Sequence, residues 1–142
     1  MRQRGFWTDP EFWLALAAAP VCWYLMLHLG VSRRAGPLSP ELLLIAVIVS
    51  PVLEEILFRG GLQSWLLKKS PMNTGFAGVS LANLLTSTVF AALHLLRQPP
   101  LWAALVMVPS LVFGRALERH RTLVSPMILH VSYNSGFIWL FG

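Results

Sequence analysis

Two adjacent glutamates, Glu54 and Glu55, lie inside a long apolar stretch of the chain, and Arg59 follows them by four residues. The chain has six acidic residues in all, so a pair of them among apolar neighbours calls for a chemical reason. An ionisable side chain within a membrane span costs about 2.5–3.5 kcal/mol on insertion scales, and such groups normally face the protein interior. The pair therefore predicts a helix that turns its carboxylates towards a functional site.

The composition places this stretch in a membrane protein. Hydrophobic residues make up 56% of the 142 residues and charged residues 12%, whereas about a quarter of the residues in a soluble domain are charged. We therefore expect one integral membrane domain over residues 1–142. Because no segment alternates at the strand period, the expected fold class is all-α, a polytopic membrane helical bundle.

Five apolar runs predict about five transmembrane helices, over residues 12–29, 41–67, 79–96, 101–117 and 125–141. Asp9 and Glu11 separate the basic amino terminus from the first run, which favours a retained anchor helix over a cleaved signal. The second run carries the glutamate pair, and Pro51 is expected to kink it just before the pair. Cys22 lies in the first run, where packing is its expected role.

Basic residues predict how the spans are oriented. With five spans, one side of the membrane holds seven of them and the other side three. The larger group comprises Arg2, Arg4, Lys68, Lys69, Arg115, Arg119 and Arg121, and the smaller comprises Arg33, Arg34 and Arg97. The positive-inside rule then predicts a cytoplasmic amino terminus, and the expected location is the cell (inner) membrane. Short basic clusters between apolar runs suit lipid headgroups, and we expect no nucleic-acid partner.

Three polar groups recur at helical spacing in three different runs. Glu55 and Arg59 are four residues apart and should form an ion pair, while Glu54 lies about 100° away around the helix and lacks that partner. His94 shares a helix face with Phe90 in the third run. His130 and Asn134 share a face in the fifth run.

Together the three runs supply a carboxylate, two imidazoles and a carboxamide. Such a set can activate a water molecule and stabilise the oxyanion that its attack creates. A carboxylate held in a dry cavity can act as a base near neutral pH, whereas one neutralised by an arginine is structural.

These residues resemble the motifs of a known family. Residues 54–59 are similar to an EExxxR motif, residues 90–94 to FxxxH and residues 130–134 to HxxxN, all in the right order and each in an apolar run. These are the motifs of the CAAX-protease and bacteriocin-processing family (CPBP, also called Abi), which includes the Rce1-type prenyl-protein endopeptidases. The resemblance covers roughly residues 41–140, and one anchor helix precedes that core.

The resemblance implies a metal-independent glutamic intramembrane endopeptidase without a cofactor. Glu54 would be the general base, His94 would hold the water, and His130 and Asn134 would stabilise the oxyanion. Glu55, Arg59 and Phe90 would support the site. The substrate would be a membrane-associated peptide or protein, trimmed at a leader, a sorting tail or a CAAX-like end. Larger relatives have more helices, so substrate preference stays open, as does the oligomeric state.

Two other functions are compatible with the same residues. A zinc protease could use Glu54, His94 and His130 as ligands, although the chain lacks the HExxH pattern. A non-enzymatic immunity or scaffolding protein could keep the motifs for packing alone. Zinc content and the effects of Glu54→Gln and His94→Ala discriminate among the three hypotheses.

Overall fold

The computed structural model describes residues 5–30, 36 and 38–141. Four of the basic residues used to predict the orientation lie outside the described residues: Arg2, Arg4, Arg33 and Arg34. After a 3₁₀ turn at Phe6–Thr8, the described part of the chain forms five helices. They are α1 (Pro10–His28), α2 (residues 40–66), α3 (Leu81–His94), α4 (Pro100–His120) and α5 (Val124–Phe141).

The fold class predicted from sequence is confirmed: the protein is an all-α, polytopic membrane protein. By length and composition, α1 and α4 are each apolar enough to cross a bilayer, and α3 is a shorter apolar helix. Leu14, Val21 and Leu25 of α1 are each more than half exposed. A helix whose apolar side chains remain this exposed is suited to contact with lipid.

The helix starts follow local capping chemistry. Asp9 accepts a hydrogen bond from the backbone N–H of Glu11 at the start of α1, and Ser39 accepts one from Leu42 at the start of α2. Ser80 accepts one from the Asn83 N–H at the start of α3. These bonds satisfy backbone donors that have no partner within a helix's first turn.

A two-residue hairpin replaces the expected start of the third run. Strand β1 (Gly75–Phe76) pairs antiparallel with β2 (Val79–Ser80), and the two turn residues, Ala77 and Gly78, have φ of 51° and 80°. Positive φ at both central residues is the geometry of a tight hairpin turn. The third helix therefore begins at Leu81, two residues later than predicted.

Helix α2 departs twice from α-helical geometry. Ile45–Val49 and Ile56–Gln63 are π-helical, and the segment Ser50–Glu55 between them is α-helical. The Ser50 N–H donates to the Ile45 carbonyl, five residues earlier. Pro51 has no N–H to donate to the carbonyl four residues before it, and this missing bond accounts for an irregularity at that point. The sequence predicted a kink here; the structure has a π-helical turn.

The chain divides into two compact units. The first comprises Met1–Leu53 and Met127–Gly142, and the second comprises Glu54–Pro126. In the first unit, the Tyr133 hydroxyl donates to the Ala15 carbonyl at 2.8 Å, and the Trp23 indole N–H donates to the Tyr133 carbonyl at 3.1 Å. These two bonds join α1 to α5. They also give the indole N–H of Trp23, which lies in the middle of its apolar run, a polar partner on α5.

In the second unit, α3 and α4 pack closely through a glycine. A Cβ at Gly114 would overlap the carboxamide of Asn83. That carboxamide donates to the Leu111 carbonyl at 2.9 Å and accepts from the Ser87 hydroxyl at 3.1 Å. Small residues and polar bonds of this kind join helices where no hydrophobic driving force between them exists.

Candidate active site

Glu55 and Arg59 form a completely buried ion pair in the second unit. Arg59 Nε lies 3.2 Å from Glu55 Oε2, and both side chains are 0% exposed. The separation is that of an ion pair. The pair expected from helical spacing is present, and it neutralises the Glu55 carboxylate inside the protein.

The Arg59 guanidinium also contacts α3 and α4. Nη2 donates to both the carbonyl and the hydroxyl oxygen of Ser110, each at 2.8 Å. The guanidinium carbon lies 5.0 Å from the centroid of the Phe90 ring and 5.7 Å from that of Phe113. Both distances are within the range of a cation–π interaction. A buried charge with this many contacts fixes the position of the glutamate pair relative to α4.

A second buried amide continues the polar face of α2. Gln63 is one turn beyond Arg59, and its Nε2 donates to the Gly114 carbonyl at 3.0 Å and to Glu118 Oε1 at 2.8 Å. The same Glu118 oxygen accepts from the Ser80 hydroxyl at 2.6 Å. Arg59 and Gln63 therefore contact α4 at Ser110 and Gly114. The two residues of each helix are four positions apart.

Phe90 connects the arginine to His94. The Phe90 ring lies edge-on to Phe58 with centroids 4.9 Å apart, and its centroid is 4.6 Å from that of the His94 ring. His94 Nδ1 lies 2.8 Å from the Phe90 carbonyl oxygen. A carbonyl can only accept, so Nδ1 carries the hydrogen, and in the neutral ring Nε2 is the acceptor. An acceptor nitrogen of this kind can hold a water molecule by one of its hydrogens.

Glu54 occupies a different environment from its neighbour. It is half-buried where Glu55 is fully buried. It interacts electrostatically with Arg59, but more weakly than Glu55 does. The two adjacent carboxylates therefore differ in both access and charge compensation.

The third motif belongs to the first unit. His130 is buried, with 5% of its surface exposed. Asn134 is half-buried, and its Nδ2 donates to the Ala46 carbonyl at 3.1 Å. Ala46 lies in the first π-helical turn of α2. The carboxamide nitrogen carries two hydrogens, so this bond leaves Asn134 one more to donate.

The structure thus brings the first two motifs together in the second unit through Glu55, Arg59, Phe90 and His94. His130 and Asn134 lie on one face of α5 in the first unit. Sequence reasoning missed the polar partners of the arginine and its neighbours. These are Gln63, Ser80, Asn83, Ser110 and Glu118.

The local sequence pattern does indicate one of these residues. Gln63 lies four residues after Arg59 and eight after Glu55, so it continues the same polar face of the helix. Among the residues that the structure describes, no group of three His, Cys, Asp or Glu side chains is arranged to hold a metal ion.

The chain matches a model of a known protein family. The family model described as type II CAAX prenyl endopeptidase Rce1-like matches residues 36–136, which is more than half of the chain and includes all three motifs. No curated protein and no solved structure matches the chain significantly.

Proposed function

The chain belongs to the Rce1-like family of type II CAAX prenyl endopeptidases, and on that basis we propose that it is a glutamate-dependent intramembrane endopeptidase that needs no metal. A protease of this family is an integral membrane hydrolase that acts on membrane-associated substrates. The proposal concerns the residues, the mechanism and the substrate of this particular chain.

The observation that carries the proposal is the division between the two glutamates. Glu55 is 0% exposed and paired with Arg59, so its carboxylate is compensated and out of reach of a substrate. Glu54 is half-buried and has the weaker interaction with the arginine. A general base has to be accessible to the water that it deprotonates. Glu54 therefore fits the role of base, and Glu55 fits that of a positioning residue.

In the proposed reaction, Glu54 accepts a proton from water while His94 Nε2 holds the water by its second hydrogen. The resulting hydroxide attacks the carbonyl carbon of the scissile peptide bond and forms a tetrahedral oxyanion. When the carbon–nitrogen bond breaks, the proton held by Glu54 passes to the leaving amine. The carboxylate is then regenerated, and no redox step or cofactor is required.

His130 and Asn134 are proposed to donate hydrogen bonds to the oxyanion. Removing one such donor typically lowers kcat by about 10²–10³-fold. The bond from Asn134 to the Ala46 carbonyl fixes the orientation of the carboxamide, which supports a role as a preorganised donor. Phe90 and Arg59 support the site by holding His94 and Glu55 in place.

The proposed substrate is a membrane-associated peptide or protein that is trimmed near one end, with a CAAX-like end as the first candidate to test. We propose that the chain lies in the cell membrane with its amino terminus in the cytoplasm, as the positive-inside rule predicts. The motif-bearing core, residues 41–140, would form the catalytic part of one membrane domain.

The direct test is cleavage of membrane-tethered peptides by the purified full chain in liposomes. Quenched fluorescent peptides with a CAAX-like end, with and without a prenyl group, would be compared for the wild type and for Glu54→Gln. We expect Glu54→Gln to lower the cleavage rate by at least 10³-fold. Glu41→Gln is the matched control, because it makes the same change at an exposed position on the same helix, and its rate should remain within twofold of wild type.

Two outcomes would contradict the proposal. Stoichiometric zinc in active protein, together with loss of activity on chelation, would indicate a zinc protease instead. Unchanged cellular function in both Glu54→Gln and His94→Ala would indicate a non-enzymatic protein. Comparing the membrane proteins of cells with and without this chain, to find one whose terminus is no longer trimmed, would identify the natural substrate.

A further inference from the structure

A polar cavity lies in the second unit where α4 ends. Its volume is about 510 Å³. The side chains that line it come from the connection after α2 and from the last turns of α4: Leu67, Asn73, Arg115, Glu118, Arg119 and Arg121. None of these residues belongs to the three motifs.

We call this the arginine cavity, because the charge of its lining is strongly positive. Three guanidinium groups face one carboxylate, and that carboxylate, Glu118, already accepts hydrogen bonds from Gln63 and Ser80. Arg115 is oriented by a bond from Nη1 to the Gly78 carbonyl at 2.9 Å. Arg119 and Arg121 are exposed, so an anion can approach them from solvent or from the lipid surface.

We propose that the arginine cavity binds a phosphate group, carried by an anionic phospholipid headgroup or by a soluble phosphate. One guanidinium group can bind a phosphate group through two parallel N–H···O hydrogen bonds. Basic pockets at the ends of membrane helices recognise lipid headgroups by the same chemistry. Asn73 adds an uncharged amide that can donate to a headgroup oxygen.

The arginine cavity is separate from the glutamate pair. Leu67 comes twelve residues after Glu55; at the α-helical rise of 1.5 Å per residue this is about 18 Å along the helix direction, an upper bound because Ile56–Gln63 is π-helical. Glu118 lines the cavity and also bonds to Gln63, which lies on the same face of α2 as Arg59. A ligand in the cavity would therefore bind next to the polar contacts of α2 without touching the motif residues.

The test is binding to the full chain in a neutral detergent, measured by isothermal titration calorimetry. The titrants are dihexanoyl phosphatidylglycerol, inorganic phosphate, and sodium acetate as a simple carboxylate. Charge near a membrane surface contributes roughly fivefold in affinity for each arginine. Arg119→Gln should thus weaken binding about fivefold, and the double variant with Arg121→Gln about twenty-five-fold.

Arg97→Gln is the matched control, because Arg97 is also exposed in the second unit but does not line the cavity. Its affinity should equal that of wild type. Arg121 has a positive φ of 55°, so Arg121→Gly provides a second variant that removes the charge at a conformation favourable for glycine. Size-exclusion elution and the unfolding midpoint would show that each variant remains folded.

The titrants distinguish the two sources of phosphate. Binding of phosphatidylglycerol that inorganic phosphate does not compete with supports the proposal and assigns the site to lipid. Binding of both, weakened together by the arginine variants, supports it with a soluble phosphate as the ligand. Equal loss in Arg97→Gln, equal competition by acetate, or no binding of either phosphate compound would overturn it. None of these readouts depends on proteolysis.

Discussion

Gly114→Ala should destabilise the protein because the added methyl group has no space. A Cβ at this position would overlap the Asn83 carboxamide, and even the amide nitrogen, the farthest of its three nearest atoms, would be 2.9 Å away. Asn83 is 0% exposed and is held by its bonds to Leu111 and Ser87. The side chain therefore has to move at the expense of these bonds.

The expected loss follows from two contributions. Overpacking of a core typically costs about 1–3 kcal/mol, and a hydrogen bond between membrane helices averages about 0.6 kcal/mol. Two disturbed bonds bring the total to about 2–4 kcal/mol. Alanine recovers up to about 1 kcal/mol through its higher helix propensity, so the appropriate reference is another Gly→Ala substitution in a helix.

Gly61→Ala provides that reference. Gly61 is exposed on α2, and the nearest atom to an added Cβ is the Ile56 carbonyl oxygen at 3.8 Å. The free energy of unfolding would be measured for the full chain by reversible denaturation in mixed micelles, followed by far-ultraviolet circular dichroism. We expect Gly114→Ala to be less stable than Gly61→Ala by about 2–4 kcal/mol.

A double-mutant cycle tests the assigned cause. Asn83→Ala removes the carboxamide that the new methyl group would overlap, so Gly114→Ala should cost at least 1 kcal/mol less in that background than in the wild type. Equal stability of the two glycine variants would refute the packing argument. An undiminished cost of Gly114→Ala in the Asn83→Ala background would show that Asn83 is not the obstacle.

Three further substitutions test the buried polar contacts by the same denaturation assay. Arg59→Gln should cost about 3–5 kcal/mol because it leaves Glu55 buried without its counter-charge, and the double variant with Glu55→Gln should recover part of that loss; an additive double variant would contradict the ion-pair argument. Tyr133→Phe removes the hydroxyl that donates to the Ala15 carbonyl and should cost about 0.6–1.7 kcal/mol, so no change would show that the bond contributes nothing. Gly136→Ala should cost about 1–3 kcal/mol, since the Trp23 indole occupies the space of a Cβ, and a neutral result would mean that the indole moves away freely.

Local patterns predicted some contacts of the candidate site and could not predict others. The pairing of Glu55 with Arg59 depends on a spacing of four residues within one helix, and the structure shows it. The bonds from Arg59 to Ser110 join residues 51 positions apart in the chain. The periodicity of one segment does not specify which helix will lie beside it. The contact between Arg59 and Ser110 therefore could not be predicted from the sequence.

The irregular geometry of α2 shows the same limit. Pro51 indicated that the helix would be disturbed, because proline removes one backbone donor regardless of its surroundings. Whether the disturbance becomes a sharp kink or a π-helical turn depends on which neighbours donate hydrogen bonds to the displaced carbonyls. In the structure, Asn134 donates to the Ala46 carbonyl in that turn. The sequence contains the proline, but it does not indicate that α5 supplies the donor to this turn.

The sequence alone determined that the chain is an all-α membrane protein with three polar motifs, because hydropathy and helical spacing are properties of contiguous residues. The tertiary structure decided what each polar group contacts. It buried Glu55 and left Glu54 half-buried, set Arg59 against Phe90, and gathered three arginines around a cavity. These outcomes depend on how helices far apart in the chain pack together, since burial and charge compensation arise only when such segments meet.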